Sequence, residues 1–469
     1  MAELHSKEFE ITADELYDSL QNKESLLLFD LRLQDTYKDG HISGSVHAVC
    51  DTRTKDTLMP KIPKNVKIVL IDGDGVMAEE TTMMMRSFGL NANYLKGGMK
   101  NWTKELIRGS PPTAMNPNDL SKRLHDSNLY MLDVRDSDEF SDYNIPNCKN
   151  IPLSDMFKPK NMSKIPQDKE IVTICPHGNM ATIATFALAR NGIKSRVLEN
   201  GLAGWSQVLN SVNAEKNPTV IQVEKVGKGC LSHIVISQKA AIVIDPLYPA
   251  EKYLEIVKLE GVKITHIIDT HQHADHVSAA QQLANLTGSP MYESKLEMWD
   301  RSANFLDDGQ EIMFGNSKLR VIHTPGHTPG SLSYVVDEKY VFTGDILFIE
   351  SIGRPDLRDK AEEFAAQLYD SLHNKLLKLP LDTIVFPTHH GSSVTSTNGV
   401  FSTTIAKTKE HDILNLSEAD FIKQVVGVTV PRPMNYQKII QINKGTIPLN
   451  PSDVPDLELG PNRCSIAEV

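Results

Sequence analysis

A chain of 469 residues is long enough for about three domains. Its formal net charge of −11, with no block of Lys or Arg, speaks against nucleic acid or an anionic membrane surface as partner. No stretch is apolar enough to span a bilayer. The charged start MAELHSKEFEITADEL lacks the apolar run of a signal peptide, so a cytoplasmic protein is expected. The cysteines Cys50, Cys148, Cys175, Cys230 and Cys464 are few and scattered, which points to reduced thiols rather than a disulfide framework.

In chain order, residues 11–20 predict a helix, 26–31 a strand, 37–43 a polar turn and 66–71 a second strand. A helix over 79–88 follows, and 94–102 (YLKGGMKNW) closes the unit. The same order returns as strands over 129–134 and 170–174, a helix over 181–191 and a close at 197–205 (VLENGLAGW). The pairs FDLR/LDVR, YKDGHISGSVHA/SDYNIPNCKNIP and LKGGMKNW/LENGLAGW make this an internal duplication. Strands alternating with helices imply a parallel α/β sheet in each copy. Polar or Pro-rich segments at 110–117 and 213–218 read as linkers, giving expected domains 1–110, 111–213 and 214–469.

Between second strand and helix, the second copy reads Cys175-Pro-His-Gly-Asn-Met-Ala-Thr and the first Asp72-Gly-Asp-Gly-Val-Met-Ala-Glu. A cysteine wound onto a helix amino terminus meets the positive end of the dipole and free backbone N–H groups. These are expected to lower its pKa and to hold a thiolate or a bound anion. Over residues 8–207 the motifs resemble a tandem rhodanese: LDVR, the GHI-type turn, the cysteine loop and the GLAGW close. The resemblance implies that Cys175 is a sulfur-accepting nucleophile passing through a persulfide, with His177 and Gly178 beside the sulfur donor; a buried structural thiol is the alternative. Rhodaneses usually carry a basic residue where Met180 stands, which implies a donor other than thiosulfate. Asp72 can carry no persulfide, and its carboxylate is expected to occupy the loop's own anion site. Copy one therefore reads as a degenerate, structural rhodanese, with Cys50 in its core.

From residue 219 the period changes. Strands over 219–223, 231–237 and 241–244 form an antiparallel meander turned at 225–229 (KVGKG) and ended by Asp245. The apolar run 264–269 predicts a buried strand, and 277–287 a helix closed by Gly288. Between them THQHADHVS places His271, His273, Asp275 and His276 within six residues. Imidazole and carboxylate donors at that density suit zinc or ferrous iron rather than calcium or magnesium. Further strands over 319–323, 331–336, 340–345 and 383–388 lead to a turn exposing His327, to Asp345 and to His389, with an amphipathic helix over 362–379.

This array over residues 219–400 resembles the signature of a metallo-β-lactamase fold, two sheets sandwiched between helices, so the whole chain is expected to be a multidomain α/β and α+β protein. GCLSHIV, THQHADHVSA, TPGHTPGSLSY, FTGDILFIESIGRPDL and VPRPMNYQKIIQINKG look like persulfide dioxygenases. In that family one ferrous ion is held by two histidines and a carboxylate, which map onto His271, His327 and Asp345. His273, Asp275, His276 and His389 would then orient those ligands, and Arg354 would hold an anionic group of the thiol carrier or make a surface ion pair. The resemblance implies one Fe(II) per chain, with a small-molecule thiol persulfide and dioxygen as substrates and sulfite and thiol as products. No nucleic-acid or membrane partner is expected, and a homo-oligomer is. Two other classes stay open: a two-zinc thioester hydrolase such as a hydroxyacylglutathione hydrolase, whose pattern the same seven donors also fill, and a non-catalytic sulfur carrier or sensor.

Overall fold

The computed structural model describes all residues except 1–5, 23, 25, 49–61, 63, 65, 110–113, 157–158, 191, 298–302, 356–359, 392, 429–430 and 467–469. Cys50 lies outside the described residues. The chain divides into two compact units, residues 1–205 and 206–469.

The first unit holds two five-stranded sheets of the same strand order. One runs Glu10–Ile11, Asn91–Leu95, Lys67–Ile71, Leu26–Asp30 and Ser45–His47; the other runs Ala114–Met115, Ser195–Leu198, Glu170–Ile174, Leu129–Asp133 and Lys149–Asn150. Every pairing is parallel. All five residues of Leu26–Asp30 are buried, as a strand covered on both faces requires. The helix Ala13–Gln21 starts from a capping box between Thr12 and Glu15. The polar turn expected over 37–43 is overlapped at its start by the helix Gln34–Asp39, because Tyr37 turns inward, stacks on His41 at 4.0 Å and donates to the Ser45 carbonyl.

The second unit is a sandwich. Its seven-stranded sheet runs Leu209–Lys216, Thr219–Lys225, Cys230–Ser237, Ala240–Ile244, Lys263–Ile268, Met291–Glu293 and Asn304–Phe305. Its six-stranded sheet runs Glu311–Phe314, Ser317–His323, Leu332–Val336, Tyr340–Gly344, Ile384–Pro387 and Thr403–Thr404. The period-2 alternation of each strand sorts its side chains between two cores. Val220, Val235, Ile242 and Ile244 face Leu319, Tyr334, Phe342 and Phe386 of the other sheet. Ile221, Ile234, Ala241 and Val243 face Tyr253 and Ile256 of the helix Glu251–Glu260 and Leu283 of the helix Ala280–Thr287. On the far side, Val335, Val341 and Val385 pack on Ala365 and Leu368 of the helix Ala361–Asp370. That helix continues as a π turn and a 3-10 turn to Lys378.

Residues 213–218 are not a linker. Leu209–Lys216 is the sheet's edge strand, paired antiparallel with Thr219–Lys225. It reads as a linker because an edge strand with half-exposed polar side chains leaves no apolar period. Among the described residues no helix is long and apolar enough to cross a membrane.

Candidate metal centre

The donor residues gather because each follows the end of a strand: Asp245 after Ala240–Ile244, the 270–278 loop after Lys263–Ile268, His327 after Ser317–His323, Asp345 after Tyr340–Gly344 and His389 after Ile384–Pro387. Two glycines permit the close approach. A Cβ at Gly344 would fall 2.8 Å from Thr270 Oγ1, and one at Gly353 only 1.8 Å from the Asp345 carbonyl oxygen. His327 is buried rather than exposed, because residues 351–354 fold over its turn and its Nδ1 lies 2.9 Å from the Arg354 carbonyl oxygen.

One set of three stands out. His271 Nε2 and His327 Nε2 lie 3.4 and 3.5 Å from the same oxygen, Asp345 Oδ2. All three side chains are buried, and His271 Nε2 and Asp345 Oδ2 have no hydrogen-bond partner. Buried polar atoms left so are costly unless something binds them. Two imidazoles and a carboxylate that converge on one point, with one imidazole nitrogen and the carboxylate oxygen unsatisfied, fit a transition-metal ion.

The contacts behind these atoms fix which ring nitrogen points inward. Thr270 Oγ1 is 3.0 Å from both oxygens of Asp245 and 2.9 Å from His271 Nδ1. Its one proton goes to the carboxylate, so His271 Nδ1–H donates to the hydroxyl and Nε2 keeps its lone pair. The Arg354 carbonyl selects the same tautomer of His327. Burial pushes His327 down to about 4, which keeps it neutral. Burial opposes the charge of Asp345, but the protonated His389 outweighs it and holds the carboxylate well below its ordinary range.

The remaining predicted donors are tied into pairs. His273 Nε2 is 3.1 Å from Asp245 Oδ1. Burial works against its charge, but Asp245 with Asp269 and Asp275 lifts it to about 9. His276 Nδ1 is 3.1 Å from Asp275 Oδ1, and burial lowers it to about 4. His389 Nδ1 lies 2.7 Å from Asp345 Oδ1, while its Nε2 is 2.9 Å from Asp275 Oδ2 but out of line for a hydrogen bond. Three members escape the sequence pattern, among them Asp269, which groups with Asp245 and His273. Cys230 Sγ donates to Asp275 Oδ2 at 3.3 Å and groups with Asp275, His276 and His389. Cys464 groups with Asp345 and His389. Neither sits in a donor-rich stretch, so nothing local marked them.

Arg354 is not a surface ion pair: it is buried, and its Nη1 donates to the carbonyls of Pro431 and Arg463 at 3.0 Å each. A cavity of about 160 Å³ opens beside His389, lined among others by Phe348, Ser351, Asn462 and Ser465.

In the other unit, Cys175 follows Glu170–Ile174 and its Sγ accepts from the N–H groups of Gly178 at 3.1 Å and Ala181 at 3.3 Å. In copy one, Asp72 Oδ1 accepts from Gly75 at 2.5 Å and Oδ2 from Ala78 at 3.1 Å. The carboxylate sits in its loop's anion cradle, as expected. The expected lowering of the Cys175 pKa does not occur: burial raises it, outweighing the N–H donors of Ala181 and Gly178. His177 is exposed, and half-buried Met180 packs on the hydrophobic core.

Residues 227–389 match the model of the metallo-beta-lactamase superfamily, and residues 12–105 and 116–208 each match that of the rhodanese-like domain. The chain belongs to the metallo-beta-lactamase superfamily, in a fusion with two rhodanese-like domains. Among its relatives is the persulfide dioxygenase ETHE1 of Homo sapiens, mitochondrial, 31% identical over 210 residues, which are 44% of this chain and 78% of that protein. A hydroxyacylglutathione hydrolase of Rhizobium etli is 34% identical over 191 residues, 39% of this chain and 70% of that protein. The crystal structure of ETHE1 from Myxococcus xanthus aligns with a TM-score of 0.43 at 28% identity, covering 51% of this chain and 99% of that one.

Proposed function

We propose that this chain is an iron-dependent persulfide dioxygenase: one thiol persulfide, one dioxygen and one water give one thiol, one sulfite and two protons. The observation that carries the reading is the convergence of His271 Nε2 and His327 Nε2 on one buried oxygen, Asp345 Oδ2, with His271 Nε2 and Asp345 Oδ2 left without a hydrogen-bond partner. Two histidines and one carboxylate with open positions are the ligand type of ferrous oxygenases. The persulfide dioxygenase relatives support the same reading.

One Fe(II) held by these three side chains would supply a site at which an anionic sulfur and dioxygen meet. Thr270 and the Arg354 carbonyl keep the two imidazoles in the ligating tautomer. His389 holds a proton against Asp345 Oδ1, so that Oδ2 alone faces the site. The buried guanidinium of Arg354, held by the Pro431 and Arg463 carbonyls, would supply positive charge for an anionic group of the thiol carrier. In the rhodanese-like unit, Cys175 takes a sulfane sulfur from a donor, whose thiolate leaves, and passes it to the carrier thiol; Gly178 and Ala181 N–H groups hold the sulfur. Joining transfer and oxidation in one chain raises the effective concentration of the carried persulfide.

A two-zinc thioester hydrolase is the second reading, favoured by the Cys230, Asp275, His276 and His389 group and by the hydroxyacylglutathione hydrolase relatives. Metal analysis of protein purified without oxygen, with dioxygen uptake on adding glutathione persulfide, separates the two. One iron per chain and uptake matched by sulfite are expected, abolished by His271→Ala, His327→Ala or Asp345→Ala. His273→Ala should keep the iron but bind it about 10–100-fold more weakly. Two zincs with thioester hydrolysis and no uptake would transfer the assignment to the hydrolase.

A further inference from the structure

The 270–278 loop does not hold its own shape. The helix expected from residue 277 begins only at Ala280, because the carbonyls that would accept from its first turn are taken elsewhere, His276 O by Asn443 and Val277 O by the Tyr248 N–H at 3.3 Å. Ser278 N–H goes to Asn443 Oδ1 at 2.9 Å, and Asn443 Nδ2 donates to the carbonyls of His273 at 3.0 Å and His276 at 2.8 Å. One buried amide thus satisfies three backbone groups across the donor stretch. Asn443 sits in the last turn of the helix Tyr436–Lys444, whose Ile439 and Ile442 pack on Val277.

A second buried side chain works on the same loop. Val277 N–H donates to Glu458 Oε1 at 2.8 Å, while Glu458 Oε2 pairs with Lys225, both side chains being fully buried, and accepts from Gln207 at 3.1 Å. A buried carboxylate is retained only where it is neutralised and hydrogen-bonded, and here the remaining bond is spent on the residue next to His276. Both braces lie outside the stretch that matches the superfamily model, which ends at 389.

We infer that Asn443, seconded by Glu458, is a positioning residue for the metal-donor loop, so that the C-terminal segment is part of the machinery that holds the ion. This rests on the reading that His271, on that loop, is a ligand. Without the Asn443 amide, the carbonyls of His273 and His276 and the Ser278 N–H are buried with no partner. The loop must then reshape to satisfy them, and His271 moves with it.

The test uses the full chain and Fe(II) itself. Iron affinity is measured by chelator competition in wild type, Asn443→Ala and Asn443→Asp, the last keeping the size and the Oδ1 acceptor but losing the donor. Gln222→Ala is the control: Gln222 makes a comparable buried pair with the Phe401 backbone, at 2.8 and 2.9 Å, away from the donor loop. Amide exchange of the metal-free proteins is read alongside. Both Asn443 variants are expected to lose about tenfold or more in iron affinity. The amides of 277–278 should lose protection while those of Cys230–Ser237 keep theirs; Gln222→Ala should leave iron affinity unchanged. Asn443 variants that bind iron as wild type does, or exchange that accelerates equally throughout the unit, would overturn the inference while leaving the proposed function standing. A wild type that binds no iron at all would sink the metal reading and this inference with it. Should Asn443→Ala not fold, Asn443→Asp decides alone.

Discussion

Thr270→Val tests the proton arrangement behind the metal centre more sharply than loss of a ligand would. The substitution keeps the volume of a fully buried side chain and removes one hydroxyl. Asp245 retains Thr270 N–H at 2.6 Å, Thr388 Oγ1 at 3.0 Å and His273 Nε2 at 3.1 Å, so the carboxylate stays satisfied. The one group left without a partner is His271 Nδ1–H, 2.9 Å from the missing oxygen. A single orphaned buried donor costs roughly 1–3 kcal/mol of stability. A unit of this size should melt about 2–4 °C lower for each kcal/mol. Because His271 is no longer held in the ligating tautomer, iron binding should weaken about 10–100-fold. Chelator competition and a thermal melt of the metal-free protein measure the two effects separately, and Thr270→Ser should restore both. A Thr270→Val protein that melts lower yet binds iron as tightly as wild type would refute the reasoning, since His271 would then be oriented by something other than this hydroxyl.

Cys175→Ser should end sulfur transfer while leaving dioxygen uptake on supplied persulfide unchanged; transfer that survives would remove Cys175 from the reaction. Because burial raises the Cys175 pKa above the ordinary thiol value, the thiolate is a minor population at neutral pH and grows as the pH rises toward that raised pKa. Iodoacetamide labelling of Cys175, followed by mass spectrometry, should therefore be slow at neutral pH and still climbing past about pH 8.5, the free-thiol value. A plateau below it would contradict the burial argument. Asp72→Cys should not create comparable transfer in the same assay, because Asp74 still places a carboxylate on that loop, held ionised by the Val76 N–H and Lys100.

The parts of this protein legible from its residues are those whose cause is local. Strand alternation in 219–244 sorts side chains between two cores, and the pattern is on the page before any fold is known. The donors of THQHADHVS sit within one turn of chain, so their chemistry is visible together. What escaped depends on distant partners. Asn443 and Glu458 reach the donor loop across 165 and 181 residues, and nothing in QINKG or DLELG marks either side chain as buried. Cys230 carries no local signal because its neighbours Asp275 and His389 are distant in sequence. The turn expected at 37–43 fails for a related reason: Tyr37 stands among polar residues yet buries its ring and spends its hydroxyl on one carbonyl.

The duplicated rhodanese-like loops keep one backbone cradle around two different side chains. In both copies the acceptor residue ends a strand and receives N–H groups three and six positions onward, from Gly75 and Ala78 in one and Gly178 and Ala181 in the other. The glycine three residues on has a positive φ in each, +95° and +97°, which turns its N–H toward the acceptor at little steric cost. The cradle is therefore a property of the backbone and favours whatever negative charge sits at its centre. A sulfur there must carry its charge only transiently, and burial resists that charge, as the raised pKa of Cys175 records. A carboxylate carries its charge permanently and occupies the cradle for good. Copy one thus retains the fold's stabilising anion without a leaving atom, and copy two retains the atom at the cost of a thiol that ionises reluctantly. That reluctance is compatible with transfer if the incoming donor, rather than bulk solvent, takes up the thiol proton as the sulfur arrives.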